Sequence, residues 1–178
     1  MARPHPYVDE HGQGWPDNDH RFMAFSAVVA ALARAGPPDV VHLNDWHTGA
    51  ARAALGPDAP PTVVSIHNLA YQGIADGSWL DLIGPDGIHY EWWGGTNPLS
   101  GALALADRIV AVSPNYAAEI QTPADGFGLD PKLQQGQLGS ASTKDALQAV
   151  WAVLKTSTNP LDGIARVLKM AAAGKRFL

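Results

Sequence analysis

The sequence predicts an α/β domain built on a parallel sheet, followed by a helical C-terminal tail. Three short apolar runs rich in β-branched residues alternate along the chain with segments of helical pattern. Such alternation is typical of parallel sheets, because neighbouring parallel strands must be joined by a crossover, usually a helix. The three predicted strands are DVVHL at 39–43, TVVSI at 62–66 and RIVAV at 108–112.

The first predicted helix follows an irregular N-terminal loop. Residues 3–16 are rich in Pro and Gly, which favour turns over regular structure. Asp17 or Asn18 can then cap a helix that runs to about Arg34. Apolar residues recur within it at three- and four-residue spacing, which predicts one buried face. That face consists of Phe22, Phe25, Val29 and Leu32.

Shorter helices are predicted between and after the strands, at 47–55, 99–106 and 114–121. The last of them has Pro114 in its first turn, where the missing N–H costs nothing. Two further helical patterns occupy 143–155 and 160–173, after a Gly-containing polar stretch at 134–142 that reads as a linker.

Charge divides the chain into two parts. Residues 1–131 carry 5 Lys and Arg against 15 Asp and Glu, whereas residues 132–178 carry 7 against 2. All the lysines lie in the second part. We therefore place a domain boundary after residue 131, with a basic helical tail at 132–178.

Composition excludes several classes of function. The net charge of -5 and the lack of a Lys- or Arg-rich run disfavour nucleic-acid binding. The absence of Cys rules out disulfides and a cysteine nucleophile. No apolar run reaches the roughly 20 residues of a membrane-spanning helix, and the N-terminus lacks the apolar stretch of a signal peptide. We expect a cytoplasmic protein without membrane partners.

Polar side chains follow each predicted strand at its carboxyl end. In an open parallel sheet these ends meet at one edge, and ligands bind in the crevice beyond it. Together with nearby aromatic residues, the polar groups predict a site for a neutral, polar ligand such as a sugar. The polar groups are Asn44, Asp45, Trp46, His47, His67, Asn68 and Ser113, and the aromatic candidates are Trp46, Tyr71, Trp92 and Trp93.

Each candidate also has a structural interpretation. His42 lies inside a strand, where a histidine is usually part of the core. Asp45 could cap the helix at 47–55 instead of serving a site, or do both. A metal site formed by His42, Asp45, His47 and His67 would suit a metal-dependent hydrolase, but the spacing differs from known zinc signatures. We therefore expect no metal.

Four segments resemble the bacterial glycogen synthase and plant starch synthase family, in the family's order. The first is RPHPYVDEHGQGWPDNDHRF, similar to an Arg-Pro-x-x-Pro-Tyr to Trp-Pro-Asp-Asn segment. DVVHLNDWHTG and TVVSIHNLAYQG resemble the Asp-Trp-His-x-Gly and His-Asn-Leu-Ala-Tyr-Gln-Gly motifs. ADRIVAVSPNYAAEIQTPADGFGLD resembles the Val-Ser-Pro segment. The resemblance covers about residues 3–130.

This resemblance implies part of the N-terminal domain of a GT-B glycosyltransferase, in which two Rossmann-like domains face a cleft. It implies retaining transfer of glucose from ADP-glucose to the non-reducing end of an α-1,4-glucan, with no metal or other cofactor. His67 and Asp45 are then the catalytic candidates. The substrate-binding candidates are Trp46, His47, Asn68, Tyr71 and Ser113.

Departures from the family pattern lead us to expect little synthase activity from the chain alone. The family's Lys-x-Gly-Gly-Leu loop and second domain are not encoded here, and Ser100 stands where the family has Lys. After Asp130 the basic tail replaces the family's continuation. A second chain could supply the other domain. The alternative is a non-catalytic glucan-binding or interaction module that uses the loop at 90–93.

Overall fold

A computed structural model of the 178-residue chain describes residues 3–135. Its strands are β1 (Val41–Asn44), β2 (Thr62–Ile66), β3 (Glu91–Trp92), β4 (Gly95–Thr96) and β5 (Arg108–Ala111). Its helices are α1 (Asn18–Ala35), α2 (Ala51–Leu55), α3 (Trp79–Ile83), α4 (Gly87–Tyr90), α5 (Pro98–Leu105), α6 (Pro114–Glu119) and α7 (Asp130–Gln135), with single 3₁₀ turns at Trp46–Thr48 and Gly84–Asp86.

The central sheet is parallel, as the alternating pattern predicts. Its strands lie in the order β1–β2–β5, with Leu43 opposite Val64 and Val64 opposite Ile109. The chain therefore has the predicted α/β architecture. The predicted helices at 143–155 and 160–173, and most of the linker at 134–142, lie outside the described residues. The proposed boundary after residue 131 falls within α7.

One face of the sheet forms the core. Alternate residues of each strand, such as Leu43, Val64 and Ile109, are fully or almost fully buried beneath helices. Burial of one such side chain stabilises the fold by about 1.5–3 kcal/mol. The buried partners from the helices include Ala30 on α1, Leu55 on α2, and Leu99 and Leu103 on α5.

The opposite face of the sheet is open within residues 3–135. Its alternate side chains, among them His42, Asn44 and Arg108, are exposed, while Val63 and Ser65 are half-buried. Strand β1 pairs only with β2 in this part of the chain, so its outer edge has no described partner strand. Within the described residues, helices thus cover only one face of the Rossmann-like sheet.

Helix α1 packs through a face that coincides only in part with the predicted one. Phe25 and Leu32 are 50% and 68% exposed, and the buried positions are Ser26 and Ala30. Small side chains there let α1 lie close to α2 and to the turn at 46–48. Phe22 and Val29 of the predicted stripe are half-buried, so spacing alone identified the packing face only in part.

The start of α1 is not capped by Asp17. Its carboxylate accepts two hydrogen bonds of 2.7 Å from the guanidinium of Arg3, and this pairing lowers the pKa of Asp17. Arg3 also lies over the ring of Trp15, 4.6 Å from its centroid. These contacts fold the N-terminal loop back over the beginning of the helix.

The short hairpin β3–β4 and helix α5 hold Tyr90 inside the domain. Tyr90 is fully buried; its hydroxyl donates to the Gly49 carbonyl at 3.0 Å and accepts from the Ala53 amide at 3.2 Å. Its ring packs directly on Gly101, where a Cβ atom would lie 2.3 Å from the ring. The expectation that Tyr90 belongs to a contact surface is therefore wrong, although Trp93 in the same segment is exposed.

Candidate active site

His67 stands at the carboxyl end of β2 beside the end of β1. Its Nε2 lies 3.1 Å from Oδ1 of Asn44, and the side chain is exposed. Because a carboxamide oxygen only accepts hydrogen bonds, Nε2 carries the proton, and in the neutral ring Nδ1 is left as an acceptor. The strand ends therefore fix one tautomer of His67.

The Asp45 carboxylate holds the loop that begins with His67. Its Oδ1 accepts from the amides of His67 at 2.8 Å and Asn68 at 3.3 Å, and makes no cap bond to the following turn. The capping interpretation of Asp45 is thus wrong. Its backbone has φ 50° and ψ −160°, a region that residues other than glycine rarely adopt. This conformation turns the carboxylate from β1 toward the loop after β2.

His47 packs within an aromatic cluster. Its ring centroid lies 4.3 Å from that of Trp46, 4.6 Å from Tyr7 and 4.8 Å from Phe22. Burial lowers the pKa of His47, and the opposing influence of Asp45 is smaller. His47 is therefore held as a neutral imidazole near neutral pH.

The N-terminal loop brings Tyr7 to this cluster. The side-chain amide of Asn18 donates to the Tyr7 carbonyl at 2.8 Å, and the Arg21 guanidinium donates to the Pro6 carbonyl at 2.9 Å. We call the resulting cavity of about 760 Å³ the imidazole cleft. It is lined by Pro6, Tyr7, Arg21, Phe22, Phe25, Asn44, Asp45, His47, Thr48 and His67.

His42 lies apart from the core, contrary to expectation. It occupies the open face of the sheet, where its Nε2 is 2.7 Å from Oγ of Ser65. Partial desolvation on this face, followed by the nearby His67, lowers the pKa of His42. Within residues 3–135 no three His, Asp or Glu side chains are grouped so that they could hold a metal ion. The hydrolase alternative thus has no support from the geometry.

A second cavity, of about 570 Å³, has Trp46 in its lining. We call it the aromatic cleft, and Tyr71, Trp92 and Trp93 are among its lining residues. Its full lining is Asn18, Asp19, Trp46, Ala70, Tyr71, Gln72, Gly73, Ile74, Trp92, Trp93 and Phe127.

Two predicted substrate-binding residues have local structural partners and line neither cleft. The Asn68 side chain accepts from the Ala70 amide at 3.1 Å. The Ser113 hydroxyl accepts from the Tyr116 amide at 3.1 Å and so caps α6. Their contacts with substrate remain predictions.

Further residues complete the site: Asn44, which its place at a strand end had indicated, and Tyr116 and Tyr7, which the sequence had not. Asn44 orients His67, and the Tyr116 hydroxyl accepts from the Leu69 backbone amide at 2.8 Å, which fixes the loop after His67 to α6. Nothing in the spacing indicates that Tyr7 would reach His47, because an irregular loop carries it there.

The fold and the site define a class of protein. A Rossmann-like parallel sheet with histidines and amides at its strand ends, and with clefts at that edge, is the architecture of one domain of a GT-B protein. The chain belongs to the starch synthase catalytic domain family, whose pattern matches residues 1–135. This confirms the resemblance recognised in the four motifs.

Individual relatives agree with the family. The chain is 46% identical over 148 residues to a glycogen synthase of Rhodopseudomonas palustris (strain TIE-1), covering 75% of this chain and 30% of the relative. It is 44% identical over 141 residues to a glycogen synthase of Halorhodospira halophila, covering 72% and 29%. The chain thus spans less than a third of these relatives.

A solved structure confirms the fold. The catalytic domain of starch synthase IV from Arabidopsis thaliana, bound to ADP and acarbose, superposes with a TM-score of 0.59 at 28% identity. The similarity covers 75% of this chain and 32% of that one. The described residues are therefore part of the N-terminal domain of a GT-B fold. No helix within them is both long and apolar enough to cross a membrane.

Proposed function

We propose that this chain forms the histidine-bearing wall of an ADP-glucose-dependent α-1,4-glucan glucosyltransferase. The observation that carries the proposal is the imidazole cleft, in which Asn44 fixes the tautomer of His67 and Asp45 holds its loop. The names of the bacterial relatives, and the ADP and acarbose in the Arabidopsis structure, support this reaction class.

His67 is the proposed catalytic residue. With Nε2 bonded to Asn44, its Nδ1 can accept a hydrogen bond from a sugar hydroxyl and so hold the reacting glucose in place, which is a positional contribution. Asp45 is bonded to backbone amides, and this favours a positioning role that acts through His67. The rings of His47 and Trp46 would form part of the wall of the sugar site.

The donor diphosphate requires groups outside the described residues. Arg21 is the basic side chain in the imidazole cleft, and its Nη1 already donates to Pro6 and Asn18. The proposed transfer uses no metal or other cofactor from this half. A second domain would bind the nucleotide, and another chain could supply that domain. The cytoplasmic location and the lack of nucleic-acid partners remain part of this proposal.

The test replaces the matching segment of the Rhodopseudomonas palustris glycogen synthase with residues 3–135 of this chain. We expect the chimera to incorporate glucose from ADP-glucose into glycogen, and His67→Ala to reduce kcat/KM by about 100-fold, as loss of substrate positioning does. His11→Ala is the matched control, since His11 is exposed and lines neither cleft.

A folded chimera whose turnover is unaffected by His67→Ala would rule out the catalytic role of His67. Soluble expression and the thermal midpoint of the variant should match those of the parent, because the His67 side chain is exposed. A loss of folding would instead assign His67 a structural role.

A glucan-binding module is the second candidate, favoured by the exposed rings of the aromatic cleft. Co-sedimentation of the 178-residue chain with glycogen, run beside the ADP-glucose incorporation assay, separates the two. Binding by the chain combined with an inactive chimera would favour the module. Incorporation by the chain alone would contradict the expectation that it needs a second domain.

A further inference from the structure

We infer that residues 143–155 of this chain dock, as one helix, into an apolar groove between α1, α2 and α3. We call this cavity, of about 550 Å³, the alanine groove. It shares no lining residue with the imidazole cleft or the aromatic cleft, so the inference stands apart from the proposed function. Its lining includes Ala24, Ala27, Ala50, Ala53, Trp79 and Leu82.

The alanine groove is a fixed part of the fold. The indole Nε1 of Trp79 on α3 donates to Oδ2 of Asp19 on α1 at 3.2 Å. The Trp79 ring also lies against the ring of His20, with 5.0 Å between their centroids. Because α1 packs on α2 as well, three helices surround one cavity.

The lining of the groove suits the apolar face of a helix. Its α1 side presents Met23, Ala24 and Ala27, and further alanines line its α2 side. Short side chains let the backbone of a docked helix come close, while larger apolar ones pack between its turns. Leu82 on α3 supplies such a side chain and is 78% exposed. An exposed apolar surface of this kind marks an interaction site.

The charge around the groove selects a partner with basic residues. Asp76 precedes α3, Asp81 lies on it and Asp86 follows it, and residues 76–86 contain no Lys or Arg. Among the described residues, neither Lys nor Arg lines the groove. Opposite charges across an interface favour the correct partner and its orientation.

The chain after residue 135 supplies such a partner. Residues 136–178 carry 6 Lys and Arg against 2 Asp and Glu. Within 143–155, four apolar residues follow the i, i+3, i+4, i+7 spacing by which an amphipathic helix fills a groove. Lys144 and Lys155, about three helical turns apart, lie on one side of this stripe. The stripe consists of Leu147, Val150, Trp151 and Leu154.

The chain is long enough to place this segment in the groove. Lys132 of α7 donates to the carbonyl of His89 on α4 at 2.9 Å, and α4 packs against α3. Since neighbouring helix axes lie about 8–10 Å apart, two such steps lead from α7 to α3 over about 20 Å. The residues from 136 to 142 can span about 25 Å when extended. Residues 160–173 also have a helical pattern, but Gly163 interrupts it and weakens the helix.

Crosslinking of paired thiols in the full 178-residue chain tests the docking. The chain contains no cysteine, so two introduced thiols give no background. Ala27→Cys is combined with Val150→Cys, and the product of a short bismaleimide is measured by peptide mass spectrometry at low protein concentration. The matched control combines Ala27→Cys with Ala152→Cys, a position about 200° further round the same helix on nearly the same tether. We expect the Val150→Cys pair to crosslink within one chain about tenfold faster than the control pair, because docking raises the effective concentration for one face only.

Equal rates for the two pairs, or no crosslink within one chain, would overturn the inference. A crosslink formed only between chains would also overturn it and assign the groove to a second copy. Should Ala27→Cys prevent folding, Leu82→Cys takes its place with the same result expected, because the Leu82 side chain is exposed. An inactive chimera in the transferase test leaves this inference standing, since the two rest on different surfaces.

Discussion

At the scale of single residues, Asp45 shows how the strand ends become a site. Its strained backbone directs one carboxylate oxygen to two amides of the neighbouring loop. The loop in turn carries His67, so a residue on β1 sets the position of a ring that follows β2. Hydrogen bonds to a charged acceptor such as this are worth about 1.5–3 kcal/mol.

Removing the Asp45 side chain should therefore destabilise the domain. We expect Asp45→Ala to lower the free energy of unfolding by about 2 kcal/mol, since two loop amides lose their acceptor and Ala keeps the unfavourable φ. Asp45→Asn retains an oxygen acceptor and should cost less than about 1 kcal/mol. Urea denaturation followed by circular dichroism measures both.

Asp58→Ala is the control, because that carboxylate is exposed on a loop. Equal losses in Asp45→Ala and Asp45→Asn would mean that charge, and not the hydrogen-bond acceptor, holds the loop.

The convergence of Asp45 and His67 was predictable, since carboxyl ends of parallel strands meet at one edge. Their roles were only partly predictable. Whether Asp45 caps a turn or supports a loop depends on its φ and ψ, which spacing does not reveal. The contact of Tyr7 with His47 depends on a loop without periodicity, ordered by Arg3 and Asn18.

At the scale of elements, strong patterns gave the correct secondary structure. The strand predicted at 62–66 is observed as Thr62–Ile66, and the helix predicted at 99–106 as Pro98–Leu105. The β3–β4 hairpin escaped prediction because its strands have two residues each, too few to show a period. The packing face of α1 was only partly predicted, because the fully buried positions are the small residues Ser26 and Ala30.

The packing of α4 on α5 depends on Gly101. A Cβ atom there would lie 2.3 Å from the Tyr90 ring, which is itself fixed by two hydrogen bonds. We expect Gly101→Ala to destabilise the domain by about 1–3 kcal/mol, because overpacking outweighs the better helix propensity of Ala. Thermal denaturation checks this. Ala104→Ser, which adds one atom on the exposed side of α5, should change little, and a stabilised Gly101→Ala would contradict the packing argument.

At the scale of the whole molecule, residues 3–135 present an open strand edge, an open sheet face and an exposed apolar stripe. The outer edge of β1 and one face of the sheet have no described cover, and α1 exposes an apolar stripe. The stripe consists of Phe25, Val28 and Leu32. Unpaired edges and apolar faces promote association between chains.

We therefore expect the 178-residue chain to associate with itself. Sedimentation velocity should show an apparent mass that rises with concentration, and the thermal midpoint should rise with it. Leu32→Lys should weaken association, because it puts a charge on the exposed stripe. Leu82→Lys, at a similarly exposed position on α3, should not. A monomer with a sharp, concentration-independent melt would contradict this expectation.

Gln72 links three segments: the loop at Phe127, the start of α5 and the loop that follows His67. Its buried amide donates to the Phe127 carbonyl and accepts from Asn97 at the start of α5, while its backbone continues the loop from His67. A displacement of the loop at Phe127 would therefore be passed to the backbone that follows His67, so we expect the two loops to move together.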